Sequence, residues 1–326
     1  GLAEKSNHDL VRVQLGINPH CFEWKLGSGE SFETPEAVMS YSGEGLNGLS
    51  FNFHRFVNSC IVRGKWKNRE RPVLLNNWEA NFFKFDRDGL IKLARSAKNL
   101  GVELFVLDDG WFGDRNTDTA GLGDYNVNTQ KLPGGLSELA KQINKMGLSF
   151  GLWFEPESVN EDSELYRTHP DWAILPPSGE AVLGRNQLLL DLTRSEVRDY
   201  IVENVGATLD SASISYVKWD MNRHMADAYS PLLSEQGEFY HRYIMGLYDC
   251  LERIFVPRPD ILFESCSSGG NRFDLGMLCY SPQIWTSDDT DPIERLDIQT
   301  GLSYLYPQSC MGAHVSAAPH QQTLRN

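Results

Sequence analysis

The sequence predicts an α/β protein: a (β/α)8 TIM barrel lacking its last helix, preceded by the last few strands of an antiparallel sheet whose beginning is absent. Three observations lead there. Short apolar runs start near residues 73, 104, 149, 188, 215, 260, 283 and 313 and end in acids or aromatics, as strands do where a parallel barrel presents side chains to a site. Helix-length segments with apolar residues at helical spacing separate them. No run is followed by the glycine fingerprint of a doubly wound sheet, the alternative α/β plan.

Residues 1–46 lack helical periodicity, and Leu10–Ile17 and Phe22–Leu26 read as strands of an antiparallel sheet separated by Gly/Ser/Pro turns. Residues 47–71 read as a linker helix, with Leu49, Phe53, Phe56, Val57 and Ile61 on one stripe, and a basic boundary at Arg63–Arg71. The barrel is assigned to 72–326. Val73–Leu75 leads to Asn76-Asn77-Trp78-Glu79, and a helix with Leu90, Ala94 and Ala97 inward stops at Gly101. Leu104–Leu107 runs into Asp108-Asp109-Gly110-Trp111, and a helix around 136–146 stops at Gly147. Ser149–Phe154 leads to Glu155-Pro156-Glu157, and Trp172 to Arg185 reads as a hairpin before a fourth strand, Leu188–Leu192. Thr193-Arg194-Ser195-Glu196 has the form of a capping box.

A strand at 214–217 ends in Lys218, Asp220, Asn222 and Arg223, and a long helix follows from Phe239 to Phe255. Ile261–Phe263 leads to Glu264-Ser265-Cys266, and Ile284–Thr286 to Asp288-Asp289-Thr290-Asp291, with Asp291 as a helix cap. The last strand is expected at Ala313–Ala317. With no room for an eighth helix before Asn326, the sequence is expected to be a fragment cut at both ends.

The formal charge of −14 argues against a nucleic-acid groove or an anionic membrane as partner, since both require clustered Lys and Arg. It suits a neutral ligand. The six cysteines fall without zinc-type spacing, so free thiols and a cytoplasmic location are expected. Strand-end acids with tryptophans at 78, 111, 153, 219 and 285 suggest carbohydrate: hydroxyls for the carboxylates and C–H faces for the indoles. Glycoside hydrolysis needs one ionised and one protonated carboxyl, but spacing alone does not select two from ten. Three alternatives stand beside it. Lys218 could form a Schiff base, although Asp220, two residues on, lies on the same strand face and would pair with it. Asp108, Asp191, Asp220 and Glu264 could hold a divalent metal. The chain could be a sugar-binding module without catalysis.

The blocks Leu75–Ala80, Leu107–Gly113, Gly151–Glu157, Lys218–Arg223, Glu264–Arg272 and Trp285–Asp291 together resemble glycoside hydrolase family 36, the retaining α-galactosidases of bacterial and fungal type. The resemblance runs from about residue 10 onward and implies a (β/α)8 barrel preceded by an N-terminal β-sandwich domain, of which residues 1–46 would be the remnant. It implies Asp220 as nucleophile and Asp288 as general acid/base. It implies Asp108 and Asp109 as ligands of the axial and 6-hydroxyls, and Lys218, Arg185, Asn222 and Cys266 as ring-hydroxyl contacts. Trp78 and Trp153 would wall the pocket, and Gly269 belongs to the binding set. The substrate is then a melibiose- or raffinose-type oligosaccharide, with no cofactor and no metal, and the parent protein a homo-oligomer, a tetramer by family habit.

Overall fold

The computed structural model describes residues 2–5 and 11–315. Strands β1 (Leu2–Lys5) and β2 (Val11–Gln14) form an antiparallel pair. Leu10, at the head of one expected strand, and Ser316 and Ala317, at the tail of another, lie outside the described residues. Phe22–Leu26 forms no strand. Its backbone is engaged elsewhere: the Glu23 and Lys25 N–H groups donate to Gly237 O and Glu238 Oε1, each at 3.2 Å. Helix α1 (Gly45–Phe56) carries on through a π turn at Val57–Ile61, matching the expected linker helix.

The remaining elements follow in order: β3 (Leu74–Asn76), α2 (Trp78–Asn81), α3 (Arg87–Asn99), β4 (Leu104–Leu107), α4 (Gly135–Lys145), β5 (Ser149–Phe154), β6 (Ser158–Val159), α5 (Glu164–Thr168), β7 (Leu188–Leu189), α6 (Ser195–Ser211), β8 (Tyr216–Trp219), α7 (Phe239–Phe255), β9 (Leu262–Ser265), α8 (Leu275–Leu278), β10 (Gln283–Trp285), α9 (Glu294–Ser303) and β11 (Met311–Gly312). Seven of the strands form one parallel sheet in the order β3-β4-β5-β8-β9-β10-β11. The sheet curls. Arg71, just before β3, donates to Pro282 O (3.0 Å) and Ser309 O (3.1 Å), and His314 after β11 lies 3.6 Å from Glu79 after β3.

Three further expectations are corrected. The Leu188–Leu192 run is not a stave of the parallel sheet: β5 pairs directly with β8, and β7 pairs antiparallel with β6. The apolar Leu188–Leu190 triplet at its head reflects burial on both sides, which periodicity cannot distinguish from a parallel strand. The stretch 172–185 is accordingly an irregular excursion rather than a hairpin of its own, with Ala173 bridged to Leu190. The capping box at Thr193 also fails, because the Thr193 hydroxyl and N–H both go to Asp191 Oδ1 (2.6 and 3.0 Å) and Glu196 takes Arg194 instead. Helix α6 starts without a side-chain cap. Asp291, by contrast, accepts from the N–H groups of Ile293 (2.9 Å) and Glu294 (3.4 Å), as a cap does.

The sheet divides its side chains by the two-residue strand period. Phe105, Leu107, Leu152, Val217 and Phe263 join the large core under the helices. Leu104, Val106, Tyr216 and Leu262 form a separate inner cluster, with Leu74 and Trp66 against it. Gly151 belongs to this inner layer, opposite Tyr216 in the β5–β8 register. A Cβ there would meet Tyr216 Cδ1 at 2.7 Å and Cβ at 2.9 Å. We expect Gly151→Ala to overpack the inner layer and destabilise the fold by about 1–3 kcal/mol; a urea melt with an unchanged midpoint would contradict this packing.

Candidate active site

Continuing the inner-face alternation toward the strand C-termini puts Asp108 two residues after Val106, Lys218 and Asp220 after Tyr216, and Glu264 and Cys266 after Leu262. These are the positions where a parallel sheet offers side chains to a site. The Asp108 carboxylate accepts from Asn76 Nδ2 (2.5 Å) and the Asp109 N–H (3.0 Å), and Lys218 Nζ stands 3.4 Å from it. The expected Lys218–Asp220 contact is therefore replaced by a Lys218–Asp108 ion pair, because the inward curl of the sheet brings β4 and β8 ends together across β5. Burial alone would lower the Lys218 ammonium, but Asp108, Cys266 and Asp220 raise it well above its ordinary range, so it stays charged and is a poor imine former.

Asp220 is buried and accepts from Asn222 Nδ2 (2.8 Å), Trp153 Nε1 (3.2 Å) and the Met221 N–H (2.9 Å). Burial pushes its carboxyl up, yet the Lys218 charge and hydrogen bonds from Asn222, Cys266 and Trp153 outweigh that and hold it below the usual range. It is a fixed anion. Trp153 is buried beneath it as a hydrogen-bond donor, whereas Trp78 is half-buried with its ring edge-on to Phe82 and Phe83 (5.2 and 5.1 Å). Burial raises the Cys266 thiol, with Asp220 adding to it, so the sulfur stays protonated and donates.

Asp288 stands exposed on the β10 side, held by Trp285 Nε1 at 2.9 Å. It joins the cluster through two routes: Lys218 Nζ lies 5.9 Å from the Trp285 ring, and the Cys266 thiol feels the charges of both Asp220 and Asp288. Gly269, at φ +89°, packs against the Ser287–Asp288 backbone so closely that a Cβ would meet Ser287 Cα at 2.8 Å and Asp288 N at 3.0 Å. Asp109 is buried one step outward, with both oxygens on Arg115 (2.9 and 2.8 Å); burial raises it and Arg115 pulls it down. Arg185 is set apart from the others. It is exposed, with positive φ, and makes no hydrogen bond or ion pair among the described residues.

The acids of the metal alternative do not converge. Asp191 is occupied by Thr193 and by Arg194, 3.7 Å away, and no group of three or more His, Cys, Asp or Glu among the described residues is disposed to hold an ion. Glu157 is a brace, accepting from Trp219 Nε1 (2.8 Å), Tyr243 OH (3.0 Å) and Arg272 Nη1 (2.8 Å).

Sequence patterns gave no hint of Arg115, which sits in a polar loop without period, or of the state of Glu155. Glu155 accepts from the Asn222 N–H (2.6 Å) and Gln187 Nε2 (3.2 Å). Burial first, and the neighbouring Asp220 charge second, push its carboxyl up to about 8. Gln187 Oε1, the other end of that amide, is buried without a partner.

A melibiase family model matches residues 31–326. The chain is 55% identical over 324 residues to alpha-galactosidase AgaA of Geobacillus stearothermophilus, covering 99% of this chain and 44% of that protein. It is 50% identical over 324 residues to alpha-galactosidase Mel36A of Lactobacillus acidophilus, with the same two coverages of 99% and 44%. Among solved structures, a variant of AgaA in complex with raffinose superposes with a TM-score of 0.96 at 53% identity, covering 98% of this chain and 45% of that one. A variant of AgaA in complex with stachyose superposes at 0.95 and 53%, with the same coverages of 98% and 45%. The chain thus spans less than half the length of these relatives.

The raised Glu155 carboxyl has a sign that thermodynamics fixes. Between the ordinary value of 4.5 and about 8, the folded state binds more protons than the unfolded one, so stability falls as pH rises across that window. We expect Glu155→Gln, an imitation of the neutral acid, to lessen this decline by up to about 1.4 kcal/mol per pH unit. Denaturant melts from pH 5 to 8 with equal slopes for both proteins would rule out a buried neutral Glu155.

Proposed function

This chain belongs to the melibiase family, and on that premise we propose that it is the catalytic core of a retaining α-galactosidase acting on melibiose- and raffinose-type oligosaccharides. The observation that carries the proposal is the state of Asp220: a buried carboxylate kept ionised by Lys218 and aimed by Asn222, Trp153 and Cys266. A nucleophile needs that combination of charge and fixed direction. The relatives named for α-galactosidase activity, and the raffinose and stachyose complexes of one of them, support the substrate class.

In the proposed reaction Asp220 attacks the anomeric carbon while Asp288 protonates the departing oxygen. Water, deprotonated by Asp288, then releases α-galactose from the β-linked intermediate. Such a pair works with carboxyls about 5–5.5 Å apart. The exposure of Asp288 suits it, since the leaving group and the water both come from the solvent side. Asp108, Asp109, Lys218, Asn222 and Arg185 would hold the ring hydroxyls, Cys266 and Gly269 would line the floor near Asp288, and Trp78 and Trp153 would bound the sugar.

The finer architecture is part of the same reading. We assign residues 72–326 to the barrel domain, and among the described residues Arg71 and the His314–Glu79 contact, which bridge its first and last strands, support closure. Residues 1–46 end a β-sandwich, and 47–71 link the two. The free cysteines suit a reducing cytoplasm, and a homo-oligomer, a tetramer by family habit, is the assembly we assign. No helix among the described residues is long and apolar enough to cross a membrane.

The test is turnover of p-nitrophenyl α-galactoside, with other α- and β-glycosides as controls. Asp220→Gly should abolish turnover, and added azide should restore part of it as β-galactosyl azide; no rescue would unseat Asp220 as nucleophile. Asp288→Ala should cost about 10²–10⁴-fold on melibiose and far less on an aryl galactoside whose leaving group needs no proton. Equal losses on the two substrates would assign the acid role to another residue.

A further inference from the structure

Asn160, just after β6, is fully buried and has no part in the reaction above. Its carboxamide joins two loops. Oδ1 accepts from Arg115 Nη1 and the Leu122 N–H, both at 2.9 Å, while Nδ2 donates to Asp118 O (3.2 Å) and Asn186 O (2.7 Å). Two lone pairs and two protons are all a carboxamide offers, so every position is used. Arg115 is the residue that grips Asp109, and Asn186 follows Arg185.

The Arg185 segment is a two-residue hairpin turn. Gly184 N–H donates to Gln187 O (3.3 Å) and Gln187 N–H to Gly184 O (3.1 Å), with φ +52° at Arg185 and +60° at Asn186. Left-handed backbone at both centres defines a type I′ turn, which Asn and Gly tolerate and arginine does not favour. From the other side the buried Arg223 donates Nε to Gln187 O (3.1 Å) and Nη2 to Val182 O (2.5 Å), and a Cβ on Gly184 would meet its Cδ at 2.8 Å. A strained residue held from two sides by buried groups is the kind of outlier from which function is inferred.

We infer that Asn160 is a positioning residue, holding the Arg185 turn in register with the Asp109–Arg115 pair so that both grip one sugar ring together. The inference rests on the reading that Arg185 and Asp109 contact the substrate. A released turn loses the arginine contact without moving Asp220 or Asp288, so the loss falls on binding, not on chemistry.

Asn160→Asp isolates the point. The carboxylate still accepts from Arg115 and Leu122, but both donated bonds become oxygen–oxygen contacts, and the turn is freed. In the full-length protein we expect KM for p-nitrophenyl α-galactoside to rise about tenfold, the worth of one charged hydrogen bond from Arg185 to the sugar, with kcat kept within about twofold. Arg185→Ala should raise KM similarly, and the double variant should be no worse than either alone. Amide exchange at Gly184 and Gln187 should quicken in Asn160→Asp while α7 is unchanged. If Arg185→Ala leaves KM unaltered, the substrate reading of Arg185 fails. If it raises KM yet the two losses multiply, or kcat falls instead, the positioning role of Asn160 is overturned. Should Asn160→Asp not fold, the neutral Asn160→Ser removes the same bond and passes through the same cycle.

Discussion

The site depends on how few cations serve its buried acids. Asp108, Asp109, Glu155, Glu157, Asp220 and Glu264 are all buried near the strand C-termini. Lys218 stands against Asp108, Arg115 against Asp109 and Arg272 against Glu157. An ionised carboxyl in such surroundings is costly without a partner, so the remaining acids compete for what is left. Asp220 draws on the Lys218 field and on three side-chain donors, and stays anionic. Glu155 and Glu264 form no ion pair among the described residues, and burial raises both. Glu264 is instead satisfied by Tyr216 OH (2.8 Å) and by Gln283 Nε2. Neutrality at Glu155 in turn protects Asp220, since a second charge beside it would undo its depressed value.

That allocation was partly legible in the sequence. The alternation Tyr216, Lys218, Asp220 on β8 and Leu262, Glu264, Cys266 on β9 follows from the strand period alone, and puts these side chains on one face before any coordinates are consulted. The helices α3, α4 and α7 were equally readable, because a one-sided apolar stripe has a single way to be buried. Choosing two acids from ten was not. What separates Asp220 from Glu155 is Lys218 and Asn222 from its own segment together with Trp153 and Cys266 from elsewhere, and the last two have no local signal.

The misreadings arise from competition, local at Thr193 and tertiary elsewhere. Thr193 had the chemistry of a helix cap, but Asp191 offered its hydroxyl a better acceptor at 2.6 Å. Lys218 was placed correctly for Asp220, but the curl of the sheet brought Asp108 to 3.4 Å. Phe22–Leu26 has strand composition, yet Trp24 lies on Phe32 and His241, with ring centroids 4.5 and 5.3 Å away, and its backbone follows. Leu188–Leu190 is as apolar as any parallel strand, and the direct β5–β8 ladder excludes it from the sheet. In these last three cases local propensity was overridden by a tertiary contact, as expected for signals worth a few tenths of a kcal/mol per residue.

Backbone strain falls where those tertiary contacts are densest. Among the described residues, non-glycine positions with positive φ are Cys21, Phe82, Arg185, Asn186 and Ser268. All but Cys21 adjoin residues assigned to the sugar: Phe82 packs edge-on against Trp78, Arg185 and Asn186 form the turn, and Ser268 precedes Gly269. Ser268 also donates to Asn222 Oδ1 at 3.1 Å, which ties the strained loop after β9 to the residue that aims Asp220. Gly269 completes that loop, because the Ser287–Asp288 backbone leaves no space for a Cβ. A loop relaxed into ordinary dihedrals would lose both the Ser268–Asn222 bond and the close approach of Gly269 to the Ser287–Asp288 backbone. The strain is therefore a condition of that packing, set against the burial that the inner face of the sheet provides.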